Sequence, residues 1–278
     1  MFSLAISRWG VSGITGALIL TVLVLVAAGG PEFTGDPVRM SVPERLQSPS
    51  MRHLMGTDQF GRDILSRVVH GARISLATGV GVVVVGLGLG IAIGVASAYR
   101  GGSVALVLMG LVDLMLALPG VLLAIVTAAL LSPRLTTAVL AVGIVTVPYY
   151  ARLIWGVTQT IRVQPYVEAA AAAGASDLRI MARYILPAIL PPSLVQATLG
   201  IGNGILTVTG LSFLGVGAQP PTPEWGLMLS EAQRFVLNAP YMGIFPGAGI
   251  MAAVLSFNLI GDALRDRLDP VVAHVVRK

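Results

Sequence analysis

The sequence predicts an all-α membrane protein with six spanning helices. Three observations lead there. Hydrophobic residues make up 55% of the 278-residue chain and charged residues only 11%, against about 25% charged in a soluble domain. The charges are also clustered, so that residues 9–31, 74–99, 114–133, 135–151, 184–223 and 235–261 contain no Asp, Glu, Lys or Arg. Most of these windows reach the roughly 20 apolar residues that a helix needs to cross a bilayer core.

The helices are expected at 10–29, 76–99, 104–130, 136–156, 192–216 and 241–262. The first could be mistaken for a secretory leader, because Arg8 precedes its apolar run and Ala27-Ala28-Gly29 ends it. The run exceeds the about 7–15 apolar residues of a leader, so 1–29 is read as an uncleaved first span. Segment 30–75 is polar, and Pro31, Pro37, Pro43 and Pro49 exclude continuous helix over much of it. Within it Ile64, Leu65, Val68 and Val69 have the spacing of an amphipathic helix suited to the membrane surface. Thr57 or Asp58 is the expected N-cap of that helix, over 60–70. Asp58, Arg62 and Asp63 are expected to form an ion-pair cluster that orders the segment.

Gly86, Gly90, Gly94 and Ala98 sit four apart on the second span. Small residues at that spacing let helix backbones approach closely in lipid, here within this chain. Gly200, Gly202, Gly204 and Gly210 smooth the fifth span in the same way. Pro119 and Pro148 should kink spans three and four. Tyr149, Tyr150 and Trp155 read as interfacial anchors, and Asn203 and Asn258 as interhelical hydrogen-bonding groups. Asp113 lies inside an apolar helix. An intramembrane acid is a functional candidate, but a carboxylate paired with an arginine or a backbone donor is the equal alternative.

Orientation follows from arginine placement. With six spans, Arg100, the 157–191 loop with Arg162, Arg179 and Arg183, and the tail 263–278 fall on one side. The positive-inside rule makes that side cytoplasmic, with both termini there. Segment 30–75 then lies outside, although it carries Arg39, Arg45, Arg52, Arg62, Arg67 and Arg73.

The 157–191 loop is the main handle on function. Pro165 suits a first helical turn, and the alanine-rich run after it makes a short smooth helix. Gly174 supplies its C-terminal stop. Ser176 is a good N-cap and Asp177 a favourable charge for a second helix, on which Leu178, Met181, Ala182 and Ile185 share a face. Pro187 should end that helix, and Pro191-Pro192 should begin the fifth span. A helix, a sharp bend and a second helix held between two spans can transmit a push.

Glu168-Ala169-Ala170, then Gly174 after three residues, then Leu186-Pro187, resemble the cytoplasmic coupling loop of importer-type ABC transporter permeases. Gly56-Thr57-Asp58 through Gly61-Arg62-Asp63, the stretch Ser212-Phe213-Leu214-Gly215 to Glu224-Trp225-Gly226, and Gly261-Asp262 to Asp269-Pro270 are similar to signatures of the C-type subunit of dipeptide, oligopeptide and nickel importers. The resemblance covers about 55–270. The chain departs from it after Arg100-Gly101-Gly102, where Ser103, Ala105 and Gly110 stand in place of an aromatic and two charges.

That resemblance implies a type I importer transmembrane domain with an extracytoplasmic segment between helices one and two, in a bacterial inner membrane. The core is 76–262. It implies ATPase coupling through Glu168, Ala169, Ala170, Gly174, Ser176, Asp177, Leu186 and Pro187. The implied partners are a homologous B-type permease, two ATP-binding subunits carrying ATP and Mg²⁺, and an extracytoplasmic solute-binding protein. The cargo is a peptide or a nickel complex, and this chain itself binds no cofactor.

Other functions find less support in the residues. The cations are spread through loops instead of massed on one face, which argues against nucleic acid. No phosphate-binding Gly-x-x-x-x-Gly-Lys-Ser/Thr and no nucleophile with a base is present, so no catalytic set is expected. His53, His70 and His274 lack metal-ligand spacing. Two rivals stay open. A secondary transporter would carry internal repeats and broken helices; a non-transporting scaffold would not capture an ATPase.

Overall fold

The computed structural model describes residues 2–268, and these are helical with no strand, in keeping with the predicted class. Helix α1 (Phe2–Phe33) turns at Gly10, whose φ of 65° lies in the left-handed region. Helix α2 (Ile64–Arg100) is followed by α3 (Gly102–Leu116), α4 (Gly120–Leu130) and α5 (Leu135–Arg162). Short α6 (Pro165–Ala172) and α7 (Asp177–Ile180) lead through a π turn (Met181–Ile185) into α8 (Leu186–Phe213). Helix α9 (Trp225–Ala232) and α10 (Tyr241–Leu268) complete the described chain. Among the described residues five helical stretches are long and apolar enough to cross a membrane, and α3 with α4, bent by 93°, are long and apolar enough only when taken together.

Four expectations need correction. Helix α2 starts at Ile64, so the helix expected along the surface is the first three turns of the second span. Its apolar residues Ile64, Val69 and Ala72 are buried, and Trp225 covers Gly71. The bend near Pro119 is a full break, because proline has no N–H to donate and its ring collides with the carbonyl four residues back. Pro119 caps α4 in extended conformation. Pro187 does not end a helix; the chain runs helically from Asp177 to Phe213 through Pro187, Pro191 and Pro192. The π turn admits this: Leu186 N–H donates to the Met181 carbonyl five residues back, which opens the helix where Pro187 enters. Finally, α10 extends to Leu268 instead of ending at 262. Residues 269–278, including Asp269-Pro270 of the C-terminal signature and most of the expected tail, lie outside the described residues.

Helix α2 organises the bundle. Its glycines meet α5 as expected: a Cβ on Gly90 would lie 2.5 Å from Tyr150 Cβ, and one on Gly94 would lie 2.7 Å from the Ala151 carbonyl. Gly143 of α5 returns the contact against Val85. Gly204 of α8 packs on Val82, and Gly16 of α1 packs on Ser256 and Leu259 of α10. Pro148 stays within a continuous α5. The remaining surface of the spans is apolar and exposed, with Leu18, Val84, Leu106, Leu111, Leu206 and Met251 among its residues.

The close α2–α5 packing makes a sharp contrast testable. Gly90→Ala forces the backbones apart and should cost about 1–3 kcal/mol by overpacking, whereas a Cβ at Gly88 meets nothing within 4 Å. Thermal unfolding in detergent should therefore show a lowered midpoint for Gly90→Ala and none for Gly88→Ala.

Candidate functional site

Three places carry the sequence-predicted residues. The first is the N-terminal end of α2. Gly56 and Gly61 adopt φ of 79° and 73°, and backbone atoms of Gln47 and Ser41 approach them where a side chain would sit. Between them Thr57 Oγ1 accepts from Gln47 N–H at 2.9 Å and donates to the Glu44 carbonyl. Asp58 Oδ1 accepts from the N–H groups of Phe60 (2.8 Å) and Arg62 (3.0 Å), closing a tight turn. Asp63, rather than Thr57 or Asp58, caps α2, accepting from Ser66 N–H at 2.8 Å. It also meets His53 Nδ1 at 2.8 Å.

The expected ion-pair cluster is real, but its membership differs. Arg62 Nε reaches Asp58 Oδ2 at 2.6 Å, and both Arg62 and Arg67 reach Glu231 Oε2 at 2.9 Å. Asp63 belongs to the cap. Glu231, on α9, was not singled out from the sequence, and Arg67 was named there only among the arginines of segment 30–75, not as a member of this cluster. Glu231 is far along the chain, and only its sign, in an outer loop opposite two arginines, could have suggested it. The cluster ties 34–63 to the loop after α8. Glu224 caps α9, accepting from the Gly226 and Leu227 N–H groups at 3.0 and 2.9 Å. Burial pushes its carboxyl above the ordinary range, against the lowering effect of those bonds. The Trp225 indole donates to the Val68 carbonyl at 3.0 Å.

The second place is the opposite end of α2, about 55 Å away for a 37-residue helix. Here α6, α7 and the π turn form the predicted hairpin. Gly174 has φ of 81°; its N–H bonds the Ala171 carbonyl at 2.9 Å, and Ala175 N–H bonds the Ala170 carbonyl at 3.1 Å. This is the paired closure that a left-handed residue gives a helix end. Ser176 occupies the N-cap position of α7 without a side-chain cap bond. Asp177 Oδ1 instead accepts from Tyr99 OH at 2.9 Å.

The buried face of the second arm matches the expected one at Ile185 and in part at Met181, but not at Leu178 or Ala182. Leu178 is exposed, and Ile180, Ile185 and Ile189 are buried. A π turn takes five residues per repeat of the bond pattern, so it shifts the apolar face from a spacing of four to one of five. These isoleucines join Val167 of α6 and Ile154 of α5 in one apolar cluster, with Val95 and Tyr99 of α2 against it. Arg162 Nη1 donates to the Ala98 carbonyl at 2.5 Å. The hairpin is thus anchored on one side, while Glu168, Ala169 and Ala171 to Gly174 face outward. Leu186 and Pro187 are the first exposed residues of α8.

The third place is Asp113, on α3. It ion-pairs with Arg152 of α5, so the paired-carboxylate alternative describes its contact. The sequence lacks a cation at Gly110 on the same helix, and α5 supplies one. Arg152 also lies over the Trp155 ring at 5.9 Å. Tyr149 does not stand alone as an anchor: its hydroxyl donates to Gln196 Oε1 of α8 at 2.8 Å.

The buried outer cluster should be intolerant of a missing charge. Arg62 is 1% exposed and leaves Asp58 and Glu231 when removed, which costs about 3–5 kcal/mol for a broken buried pair. Arg52, paired with Glu44 at 2.5 Å, is 76% exposed; Arg52→Ala should cost about 0–1 kcal/mol. Thermal unfolding of Arg62→Ala and Arg52→Ala in detergent checks the difference, and equal midpoints would refute it.

The comparisons agree with this architecture. The family described as binding-protein-dependent transport system inner membrane component matches residues 86–274. A dipeptide transport system permease protein of Alkalihalophilus pseudofirmus is 45% identical over 258 residues, covering 92% of this chain and 85% of that protein. The dipeptide transport system permease protein of Haemophilus influenzae is 40% identical, covering 92% and 89%. A glutathione transport system permease protein of Escherichia coli is 45% identical, covering 81% and 74%. On these matches the multi-pass chain belongs to the binding-protein-dependent transport inner membrane components, the permeases of ABC importers.

Proposed function

We infer that the chain forms half of a translocation path for peptides, pairing with a homologous B-type permease and coupled to two separate ATP-binding subunits. The observation that carries this is the hairpin: rigidly seated on α2, α5 and α8, smooth and exposed on its outer face, and bent at a left-handed glycine. A cleft in an ATPase can receive such a face, with Glu168 as the charge that meets it. ATP and Mg²⁺ belong to that partner. The hairpin side is cytoplasmic and holds both termini, and the segment between α1 and α2 faces an extracytoplasmic solute-binding protein. The relatives named for dipeptide and glutathione transport support a peptide cargo over a nickel complex.

Coupling works by differential binding. A cargo-loaded receptor favours one state of the two-permease assembly, and ATP-driven closure of the partners moves the hairpins toward it. Three of the six arginines of segment 30–75 have acidic partners, Arg52 with Glu44 and Arg62 and Arg67 with Asp58 and Glu231, and three other regions carry the orientation.

Two substitutions test the hairpin. A Cβ at Gly174 meets no atom within 4 Å, so Gly174→Val acts through its φ alone, at about 1–2 kcal/mol for a left-handed residue. It should keep ATP hydrolysis and lose uptake in proteoliposomes, and Gly174→Asn, which tolerates that region, should retain both; normal uptake by Gly174→Val counts against the hairpin. Glu168→Arg should weaken co-purification of the ATP-binding subunits, and unchanged capture would remove Glu168 from the contact.

A further inference from the structure

The Asp113–Arg152 pair is oddly placed. Arg152 stands about 15 Å along α5 from Arg162 and directly follows the charge-free stretch 135–151. Yet the two side chains remain 53% and 43% exposed. One contact leaves most of the guanidinium's five donors and the carboxylate's lone pairs unused. Acyl chains would offer them nothing, and charges facing lipid are costly. The surface outside the pair is therefore not hydrocarbon.

Its neighbours continue the pattern. Tyr149 lies one turn from Arg152 on the same face of α5 and bonds Gln196 of α8. Asn203, two turns along α8 from Gln196 and on the same face, is exposed. Polar groups thus run from α3 across α5 and along α8, from the hairpin side toward the outer side.

We propose that this file lines a water-filled path and that Arg152 and Asp113 recognise the carboxylate and ammonium ends of a peptide. A guanidinium matches a carboxylate in a bidentate fork, and a carboxylate accepts from an ammonium. In the empty path the two satisfy each other. The second part rests on the peptide reading above; the first does not.

The complete importer, with its partner permease, ATP-binding subunits and receptor, provides the test. The chain contains no cysteine, so Tyr149→Cys, Asn203→Cys and, on the exposed apolar face of α3, Leu111→Cys each introduce a single thiol. A charged, membrane-impermeant methanethiosulfonate should modify the first two roughly tenfold or more faster than the third, because a lipid-facing thiol does not form the reactive thiolate. Equal rates, or cross-linking of the thiol at 203 to the partner permease in place of modification, would overturn the path. For the charged ends, Arg152→Gln should lower uptake of Ala-Ala relative to Ala-Ala amide by about tenfold, the factor for one charge-assisted hydrogen bond. Asp113→Asn should do the same for Ala-Ala relative to its N-acetyl form. Equal losses for free and capped peptides would overturn that recognition. An unaltered complex that does not import Ala-Ala counts against the peptide cargo alone, since the modification rates still decide the path.

Discussion

Close backbone contact between α2 and α5 is the constraint on which the remaining structure depends. Inside a bilayer no hydrophobic force drives one apolar helix onto another, so association must come from packing and hydrogen bonds. Gly86, Gly90 and Gly94 supply the packing by letting Tyr150, Ala151 and Ile154 of α5 come against the α2 backbone. The consequence is a fixed strut. At about 55 Å, α2 exceeds the roughly 30 Å hydrocarbon core. Its outer turns carry Arg67 and the Val68 carbonyl into the outer unit, and its inner end carries Ala98 and Tyr99 to the hairpin.

The two ends of the strut are held by different physics. At the N-terminal end the tie is electrostatic: Arg62 and Arg67 share Glu231, and Asp58 closes the set. Such a network is sensitive to its membership, because each buried charge relies on the others. At the C-terminal end the tie is apolar. Ile180, Ile185 and Ile189 fill the space between α2 and α5, with one hydroxyl–carboxylate bond from Tyr99 to Asp177. An apolar seat tolerates small displacements better than an ion network, which suits a part that must move against a part that must hold.

Much of this was legible in the sequence. Charge-free windows located the spans because lipid leaves no alternative for a charged side chain. Pro119 marked the bend of the third span and Gly174 closes α6 as its type dictates, whereas Pro148 and Pro187 lie within helices. Other features needed the third dimension. The start of α2 was hidden because residues 64–75 are half polar, and only Trp225, Glu224 and Glu231, some 150 residues later, make that face an interior. The face of α7 was misread because periodicity assumes 3.6 residues per turn, and the π turn before Pro187 breaks that assumption. Asp113 was recognisable as an exception, but its partner on another helix was not, since nothing in the spacing of either helix ties 113 to 152.

The same connectivity gives the proposed coupling a mechanical route. Helix α6 follows α5 after two residues, and α7 runs through the π turn into α8 without a loop. The hairpin therefore has no slack on either side. A displacement imposed on its exposed face must pass into α5 and α8 together, and these are the helices that carry Arg152, Tyr149, Gln196 and Asn203. The bond between Tyr149 and Gln196 crosses the seam between them. A polar seam, unlike interlocked glycines, can exchange its partners for water or for cargo at little cost when the helices shift. The Tyr149–Gln196 bond is the exchangeable contact between α5 and α8, whereas Gly204 and Gly200 hold α8 closely on Val82 of α2 and Tyr150 of α5, so a push on the hairpin moves α8 together with the α2–α5 pair.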